Sequence, residues 1–462
     1  MRGITSWNHT PYTLLHARQR DREFFVCQIL PGHESFAFAF RDAVESAHTL
    51  LWKVRGEENW NEMPLSGMKG EVKNLSESTD YAFCVRREQD GETTRIRLVR
   101  PGKPDGVIVN YLHPEDEIYA FSGRYLCSPS ILQLPSGRML AGMDLYGPKM
   151  AQNLTLIFES LDGGESWEYV TELYPCFWGE LFYHQGKVYM MGMACEYGDL
   201  LIGVSEDEGH TWQPPVRIFP GSNANEIGPH KAPMPVLNKD GYLYTAIDYG
   251  CWKYGGHANC ILSIKEEEDL LNPANWRLTF PWEFESDHPG MPEGELRKCL
   301  EGNAVDAPDG SIVNMLRLQQ DRANPNVGHA VILKMQDQDE ALVFDKVVEF
   351  PLGANSKFVV FREGEWYVAV GNEWFDPAQP KARSILSAAI SKDLVNWEVA
   401  ERIIDERQQD ANAVAFQYPD AQMAGDDLIV LSRTAWNGAN NYHNANMITF
   451  HRVKDFAKKL QK

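Results

Sequence analysis

Basic side chains are scarce in this 462-residue chain, which has 44 lysines and arginines against 65 aspartates and glutamates and a formal net charge of −21. Binding to nucleic acid or to an anionic membrane needs a broad basic surface, so neither is expected as a partner. An acidic ligand can bind only where the few basic groups are concentrated locally.

Long apolar runs are missing as well. No uninterrupted run approaches the ~18 apolar residues of a bilayer-spanning helix, so no membrane span is expected. Residues 1–9 lack the basic segment and the apolar run of a secretory signal. We therefore expect a cytoplasmic protein, or a secreted one if a signal peptide has been removed.

The cysteines and histidines show no pattern of a disulfide scaffold or a metal site. The eight cysteines include no Cys-x-x-Cys pair, which is typical of reduced thiols. No His, Cys or Asp cluster has the spacing of metal ligands, so no metal and no cofactor is predicted. A structural ion held in a channel by backbone carbonyls would leave no such trace.

Two short stretches, residues 160–167 and 205–212, follow one template, Ser-x-Asp-x-Gly-x-Ser/Thr-Trp, about 45 residues apart. The Asp and Ser/Thr side chains can bond backbone groups in a tight turn, the Gly permits a positive φ, and the Trp fills the gap to the next strand. The spacing is typical of β-propeller blades. A third stretch, residues 391–397, is one residue shorter and lacks the Gly, and we interpret it as a decayed hairpin.

The template resembles the Asp-box, or BNR repeat, of the sialidase superfamily, which implies a β-propeller. From about residue 118 a unit of apolar strands and Gly-containing turns repeats along the chain. Its six openings lie near residues 128, 180, 230, 301, 357 and 417. The chain is therefore predicted to be all-β, with a six-bladed sialidase-like propeller at residues 107–462.

Residues 1–106 are predicted to form a separate small β-sandwich. From about residue 20 to 105, short apolar runs with period-2 alternation are separated by turns. Residues 72–81 resemble the Leu-x-x-x-Thr-x-Tyr corner of fibronectin type III modules, which implies such a module here. Residues 101–106 are rich in Pro and Gly and predict a linker between the two domains.

The polar openings of the units are the predicted functional site. In a propeller the innermost strand of each blade runs beside the central channel, so residues near the strand starts converge on one mouth. The predicted catalytic residues are His230, Glu301, Tyr418, Asp420, Arg433 and His443. The predicted substrate-binding residues are Trp178, Glu180, Lys231, Asn303, Arg317, Lys357, Asn372 and Asn444.

Purely structural roles are open for several of these side chains. His230 could bond the backbone of a neighbouring blade. Arg433 could pair with Asp426 or Asp427 to close the ring, and the segment at His443 could join the last blade to the first.

The resemblance to the sialidase superfamily covers about residues 118–452 and departs from the family at one position. In that family an Arg at the opening of the first blade is one of three that bind the sialic acid carboxylate, and Cys127 stands there in this chain. A thiol cannot replace a bidentate guanidinium group, so this departure argues against true sialidase activity. Later segments resemble a branch of sialidase-like proteins often named exo-sialidases, at residues 229–236, 300–305, 418–428, 432–435 and 443–452.

The favoured function is glycoside hydrolysis that releases an acidic or terminal sugar from a glycan. Glu301 and Asp420 would supply the two carboxyl groups of the reaction. Tyr418 is a candidate nucleophile in the manner that the resemblance to sialidases implies, where a Tyr is assisted by a Glu.

Two alternatives remain open at this point. In a uronate-specific polysaccharide or oligosaccharide lyase, His230 or His443 would remove the proton beside the carboxylate, and Arg433 or Lys357 would neutralise that carboxylate. In a non-catalytic glycan-binding propeller, the same side chains would only hold the sugar. An oligosaccharide or polysaccharide is the predicted partner in all three cases.

Overall fold

The protein consists almost entirely of β-strands, which confirms the predicted all-β class. The computed structural model describes residues 24–461 with the exception of residues 224–225, 295, 297, 321–326, 337–340, 377–378 and 380–381. Residues 1–23, which include the predicted start of the sandwich and the segment assessed for a secretory signal, lie outside the described residues. Helical structure in the described part is limited to short 3₁₀ turns at Trp252–Tyr254, Pro273–Asn275 and Phe456–Gln461. No helix in this part is long and apolar enough to cross a membrane.

Seven strands form two small sheets ahead of residue 100. They are β1 (Phe24–Pro31), β2 (Ser35–Asp42), β3 (His48–Val54), β4 (Asn61–Leu65), β5 (Lys69–Lys73), β6 (Tyr81–Arg87) and β7 (Arg97–Val99). One sheet has the order β1-β2-β5 and the other β4-β3-β6-β7. An aromatic core that includes Phe36, Phe38 and Phe83 is buried between them. The Tyr81 hydroxyl accepts the N–H of Ser76 at 3.0 Å, the bond that the predicted tyrosine corner requires.

The strands that follow form six successive antiparallel sheets in the described residues. They are β8 (Val107–Tyr111), β9 (Tyr125–Gln133), β10 (Met139–Tyr146), β11 (Thr155–Ser160), β12 (Glu168–Leu173), β13 (Phe177–His184), β14 (Lys187–Met193), β15 (Leu200–Ser205), β16 (Val216–Phe219), β17 (Gly228–His230), β18 (Leu237–Lys239), β19 (Tyr242–Cys251), β20 (Gly256–Lys265), β21 (Arg277–Leu278), β22 (Cys299–Asp306), β23 (Ile312–Leu318), β24 (His329–Gln336), β25 (Ala341–Glu349), β26 (Val359–Glu363), β27 (Trp366–Asn372), β28 (Ile385–Ser391), β29 (Glu398–Asp405), β30 (Ala415–Ala424), β31 (Asp427–Ala435) and β32 (Met447–Val453).

Each sheet is built from consecutive strands, with one exception that closes the ring. The first five sheets contain β9–β12, β13–β16, β17–β21, β22–β25 and β26–β29. The sixth contains β30, β31 and β32, and β8 pairs with β32 as its outermost strand. Because β8 precedes all the other strands of the ring, strands from both ends of the segment that forms the ring complete one sheet, which fixes the first sheet to the last.

The third sheet differs from the others in its inner strand. Both β17 and β18 pair with β19, and the segment between them, which contains Pro233 and Pro235, pairs with neither neighbour. Proline has no N–H to donate to a ladder, so the inner strand is interrupted here. The interruption leaves His230 at the end of a three-residue strand that faces the channel.

The template turns connect the two outer strands of a sheet, away from the channel. Asp162 and Asp207 each accept the backbone N–H and the hydroxyl of the Ser or Thr four residues later. The shorter third turn makes the same type of bonds from Asp393 to Asn396, and Leu394 occupies the place of the Gly at a φ of 64°. The third turn therefore keeps the hydrogen bonds of the template although its sequence departs from the template.

Candidate functional site

Four inner strands of the described ring carry the same irregularity near their start. In β9, β13, β22 and β30 two residues lie opposite a single residue of the next strand, which makes a β-bulge. The first bulge residue has a positive φ, 49° at Ser128, 52° at Trp178, 54° at Glu301 and 49° at Tyr418. Such a conformation costs a non-glycine residue ~1–3 kcal/mol. All four side chains line one cavity, so the strained backbone coincides with a candidate site.

The cavity lies at the channel mouth and has a volume of about 400 Å³, within the ~300–1,000 Å³ of typical small-molecule sites. Its walls carry four basic side chains, at positions 317, 357, 383 and 433, against two acidic ones, Glu196 and Glu301. The scarce basic groups of the chain are thus concentrated locally. The predicted site residues that line the cavity are Trp178, His230, Glu301, Arg317, Lys357, Tyr418, Arg433 and His443.

Six predicted site residues do not line the cavity, and their predicted roles in catalysis or substrate binding stay predictions. Asp420 is buried, and its two carboxylate oxygens accept the N–H groups of Ile131 and Ala421. The amide of Asn303 bonds the backbone of Phe358 and Val360. These side chains join neighbouring sheets below the cavity. The six residues are Glu180, Lys231, Asn303, Asn372, Asp420 and Asn444.

Asn372 and Asn444 have comparable structural roles. The Asn372 amide donates to the carbonyls of Ile385 and Phe416 at 2.9 and 2.7 Å, which ties the fifth sheet to the sixth. Asn444 bonds Asn440 and Asn441 within its own loop. Asn372 ends β27, the second strand of its sheet, where its amide satisfies buried backbone carbonyls, and Asn444 lies in the loop before β32.

A buried charge cluster lies beneath the cavity. It consists of Glu180, Lys231, Lys357 and Asp420, all of them at least nine-tenths buried. Burial raises the pKa values of the two carboxyl groups and lowers those of the two amines, while the opposite charges of the partners counteract both effects. The Lys357 ammonium donates to the Pro233 carbonyl at 2.5 Å. Although Lys357 lines the cavity, its charge is engaged with this cluster.

Three guanidinium groups surround the Tyr418 ring. Arg317 donates from Nη1 to Glu301 Oε2 at 2.7 Å and from Nη2 to Gln319 Oε1 at 2.6 Å, and its charge acts on Tyr418. The Cζ atoms of Arg383 and Arg433 lie 4.9 and 5.1 Å from the centre of the Tyr418 ring. Burial raises the pKa of Tyr418, but the charges of the three arginines outweigh burial and hold that pKa below its usual value.

Two of these arginines have no carboxylate partner in the described part of the chain. Arg383 donates to Gln417 Oε1 at 2.5 Å and to the Asn355 carbonyl at 2.6 Å, and Arg433 donates to the His443 carbonyl. The alternative pairing of Arg433 with Asp426 or Asp427 is wrong, because Arg452 bonds Asp427 at 2.6 Å instead. The Nε atoms of Arg317, Arg383 and Arg433 are buried without hydrogen-bond partners.

The position at which the sialidase resemblance lacks an arginine lies in the same cavity. Cys127 lines it, and burial raises the pKa of its thiol to about 12, which leaves the thiol protonated at neutral pH. Arg433, from the second strand of the last sheet, is close enough to act electrostatically on that thiol. The cavity therefore holds three arginines although the first-blade arginine is absent.

At two of the bulges, the backbone N–H of the first bulge residue donates to a buried carboxylate of the preceding sheet. Asp144 accepts the N–H of Trp178 at 2.6 Å, and burial raises the pKa of this carboxyl group to about 8. Asp248 accepts the N–H of Glu301 at 2.9 Å and also bonds His230 Nδ1 at 3.2 Å. His230 therefore bonds a side chain of its own sheet, and the alternative in which it bonds the backbone of a neighbouring blade is wrong.

His443 closes the cavity on the side of the last sheet. Its ring lies 5.5 Å from that of Tyr146 and 6.1 Å from that of Tyr418, and its Nδ1 faces Arg433 Nη2 at 3.3 Å. Burial and the charge of Arg433 hold the pKa of His443 well below its usual value, so the ring is neutral at pH 7. A neutral ring bonded to a guanidinium group orients that group rather than adding charge to the cavity.

Several cavity residues were missed by the sequence-based prediction. Arg383 lies in the loop after β27 and Glu196 in the loop after β14, where no motif surrounds them. Asp248 lies within the apolar strand β19, and its contact with His230 could be recognised only from the pairing of β19 with β17. A search for charged residues inside otherwise apolar strands would have found Asp144 and Asp248.

No metal site emerges from the described residues, in which no group of three or more His, Cys, Asp or Glu side chains is arranged to hold an ion. All eight cysteines are free thiols in the structure.

Comparisons with known proteins establish the fold and no closer relationship. No protein-family model and no curated protein matches the chain. The GH93 α-L-arabinofuranosidase of Fusarium graminearum with arabinobiose is similar in structure, with a TM-score of 0.50, 12% identity and coverage of 75% of this chain and 97% of that one. A mutant of the α-L-arabinofuranosidase from Fusarium graminearum with an iminosugar inhibitor gives a TM-score of 0.51 with the same identity and coverage.

A Hadza microbial sialidase covers 94% of this chain and 97% of its own, at 13% identity and a TM-score of 0.48. At such identities the two arabinofuranosidase structures bear on the fold alone. With the sheet topology they confirm the predicted propeller. The fibronectin type III assignment and the domain boundary at residue 106 stay predictions.

Proposed function

We propose that the protein is a glycoside hydrolase that releases a terminal sugar carrying a carboxylate. The observation that carries this proposal is the set of three buried guanidinium groups around Tyr418, of which Arg383 and Arg433 have no carboxylate partner in the described residues. Burying a cation without a counter-charge is costly, and a bound carboxylate would supply the missing partner. In a chain of net charge −21 such a local excess favours a specific anion.

Tyr418 is the proposed nucleophile. A phenol is a weak nucleophile until it loses its proton, and the three arginines lower the pKa of Tyr418, which favours the phenolate. Glu301 bonds Arg317, whose charge lowers the pKa of Tyr418, so we assign Glu301 the role of holding this guanidinium group beside the phenolate. Attack of the phenolate oxygen on the anomeric carbon breaks the glycosidic bond, and water then hydrolyses the aryl glycoside. This double displacement predicts retention of the anomeric configuration.

The experiment is a substrate panel with matched pairs. Oligosaccharides and aryl glycosides ending in a uronic or sialic acid are compared with neutral sugars, including α-L-arabinofuranosides, the substrate class named for the structural neighbours above. Release of reducing ends, new ultraviolet absorbance from a C=C bond, and the anomeric proton signal of the first product are recorded together. We expect reducing ends without absorbance, a preference for the carboxylated sugar, and retention.

Each other outcome overturns a stated part of the proposal. New absorbance at the non-reducing end would replace hydrolysis by β-elimination. Binding of acidic sugars without any cleavage would favour the glycan-binding alternative. Faster cleavage of the neutral arabinofuranosides than of any carboxylated sugar would show that the arginines do not bind a substrate carboxylate.

A further inference from the structure

His230 and Asp248 form a pair that the proposed hydrolysis has not yet used. They lie directly opposite each other on the paired strands β17 and β19, and His230 Nδ1 bonds Asp248 Oδ2 at 3.2 Å. Both side chains are buried. Asp248 Oδ1 accepts the Asn259 amide at 2.7 Å, so the carboxylate is fixed at both oxygens. A carboxylate held in this way orients the imidazole ring and stabilises its protonated form.

The same carboxylate oxygen connects this pair to the rest of the cavity. Asp248 Oδ2 accepts the N–H of Glu301, the bulge residue whose side chain bonds Arg317. The position of the His230 ring is therefore coupled through one atom to the backbone that presents Glu301. This shared contact fixes His230 relative to the Tyr418 side of the cavity.

The other ring nitrogen of His230 is available for chemistry. His230 lines the cavity, and its Nε2 has no hydrogen-bond partner in the part of the chain that the structure describes. The ring is held between Trp178, with centroids 4.3 Å apart, and His257, with centroids 4.5 Å apart. Burial lowers the pKa of His257 to about 3, so this neighbouring ring is neutral at pH 7.

The carboxyl groups near the cavity are committed to other bonds. Glu301 Oε2 is paired with Arg317, and Glu196 Oε2 accepts the Gln152 amide at 2.8 Å. Asp420 is buried below the cavity with both oxygens bonded. A glycosidase that uses Tyr418 as nucleophile still needs a group to protonate the leaving oxygen.

We propose that His230, oriented by Asp248, is the general acid and base of the proposed hydrolysis. As the Tyr418 oxygen bonds to the anomeric carbon and the bond to the leaving oxygen breaks, the proton on Nε2 moves to that oxygen. In the second half, Nε2 takes a proton from water while the water oxygen displaces Tyr418. The imidazolium and the phenolate are both regenerated, so charge and protons balance over the cycle. This inference rests on the proposed function above.

The test compares two leaving groups on the same carboxylated sugar. A nitrophenolate departs without protonation, whereas an alkyl or sugar leaving group needs a proton. For H230Q we expect kcat/KM to fall ~10²–10⁴-fold on the sugar leaving group and less than about tenfold on the nitrophenyl glycoside. The ratio of the two values in one preparation does not depend on the fraction of folded enzyme, so partial misfolding cannot imitate the result.

Three further variants sharpen the test. D248N is expected to shift the same ratio in the same direction by a smaller factor, because Asp248 orients His230 but does not itself transfer the proton. E196Q examines the competing donor and is expected to leave the ratio unchanged. H33N replaces an exposed histidine of the N-terminal sheets and is the matched control.

The outcomes are separable. An equal loss on both leaving groups in H230Q, or a shifted ratio in E196Q and not in H230Q, overturns the assignment of the proton donor while hydrolysis itself stands. Failure of the wild-type protein to release either leaving group from a carboxylated sugar overturns the proposed function, and this inference with it.

Discussion

Two structural features repeat in this propeller: an outer feature, the template turns at the edge of the sheets, and an inner feature, the bulges at the channel mouth. The turns are alike in sequence, whereas the bulges are alike only in backbone geometry. The turns repeat in sequence, and within each turn the Asp side chain bonds groups two to four residues away. The bulges repeat in geometry, with φ values of 49° to 54°, but their first residues are Ser, Trp, Glu and Tyr. The turns use the same residue types and satisfy their own polar groups, whereas the bulges share a backbone conformation and differ in their side chains.

The difference shows where selection for the scaffold and selection for a site act. A turn that satisfies its own polar groups stabilises any blade in which it occurs, so the same residues serve at each position. A bulge only aims a side chain at the channel, so each blade can present a different chemical group. Beside the bulge residue Tyr418 lie Arg383 and Arg433, which have no carboxylate partner in the described residues, whereas the polar groups of the turns bond one another.

The largest expected effect comes from the bulge residue of the last sheet. Y418F keeps the ring between Arg383 and Arg433 but removes the hydroxyl, so we expect kcat to fall by on the order of 10³-fold or more with unchanged thermal stability. Steady-state hydrolysis of a carboxylated aryl glycoside measures the loss. Y442F is the matched control, since Tyr442 lines the same cavity and its ring lies 5.6 Å from Arg383 Cζ, and it is expected to lose far less. Equal activity of Y418F and wild type would show that the bulge residue Tyr418 is not the nucleophile.

The next effect concerns the unpartnered arginines. R383Q and R433Q each remove one charged donor, and we expect binding of the carboxylated sugar to weaken by about 10- to 100-fold, in line with ~1.5–3 kcal/mol for a charge-assisted hydrogen bond. Titration calorimetry with the carboxylated sugar and with its carboxamide analogue distinguishes the loss of a contact to the carboxylate from general damage to the cavity. The wild-type protein should bind the amide more weakly, and the variants should bind the amide about as well as wild type does. Loss of amide binding in the variants would point to damage of the cavity instead.

The sequence predicted the propeller and part of the cavity lining, because both predictions rest on local patterns along the chain. Turn motifs and strand periodicity are local, so the strand units near positions 128, 301 and 417 could be read directly. Glu301 and Tyr418 lie at two of those openings and line the cavity, and Arg433 reaches it from the strand that pairs with the last opening. Asp420 does not line the cavity, although it lies only two positions after Tyr418, because its side chain turns to a neighbouring blade. Arg383 lies in a loop and gave no local signal.

A smaller effect is expected at the outer feature. D207A removes the acceptor for the Thr211 N–H and hydroxyl, and we expect the free energy of unfolding to fall by ~1 kcal/mol, as for other side-chain caps of backbone groups. Urea denaturation gives the change. Hydrolysis per folded molecule should stay at the wild-type rate, because the turn joins the outer strands of its sheet. Reduced activity in fully folded D207A would show that the outer edge and the channel mouth are coupled.

A last comparison distinguishes the channel mouth from the outer turns by pH. Burial lowers the pKa of His257 beside the cavity to about 3, so below its unfolded pKa of ~6.5 the unfolded chain takes up a proton that the folded protein refuses. Stability should therefore fall as pH drops through this window, by at most ~1.4 kcal/mol per pH unit for this group. In the template turn, hydrogen bonds from Ser166 lower the pKa of Asp162 to about 2, so its contribution is present above ~3.8 and is lost only as pH falls toward 2. Between pH 6.5 and 4, H257Q should flatten the pH dependence of the urea midpoint while D162N should not, and the opposite result would place the acid sensitivity of the fold at its outer edge.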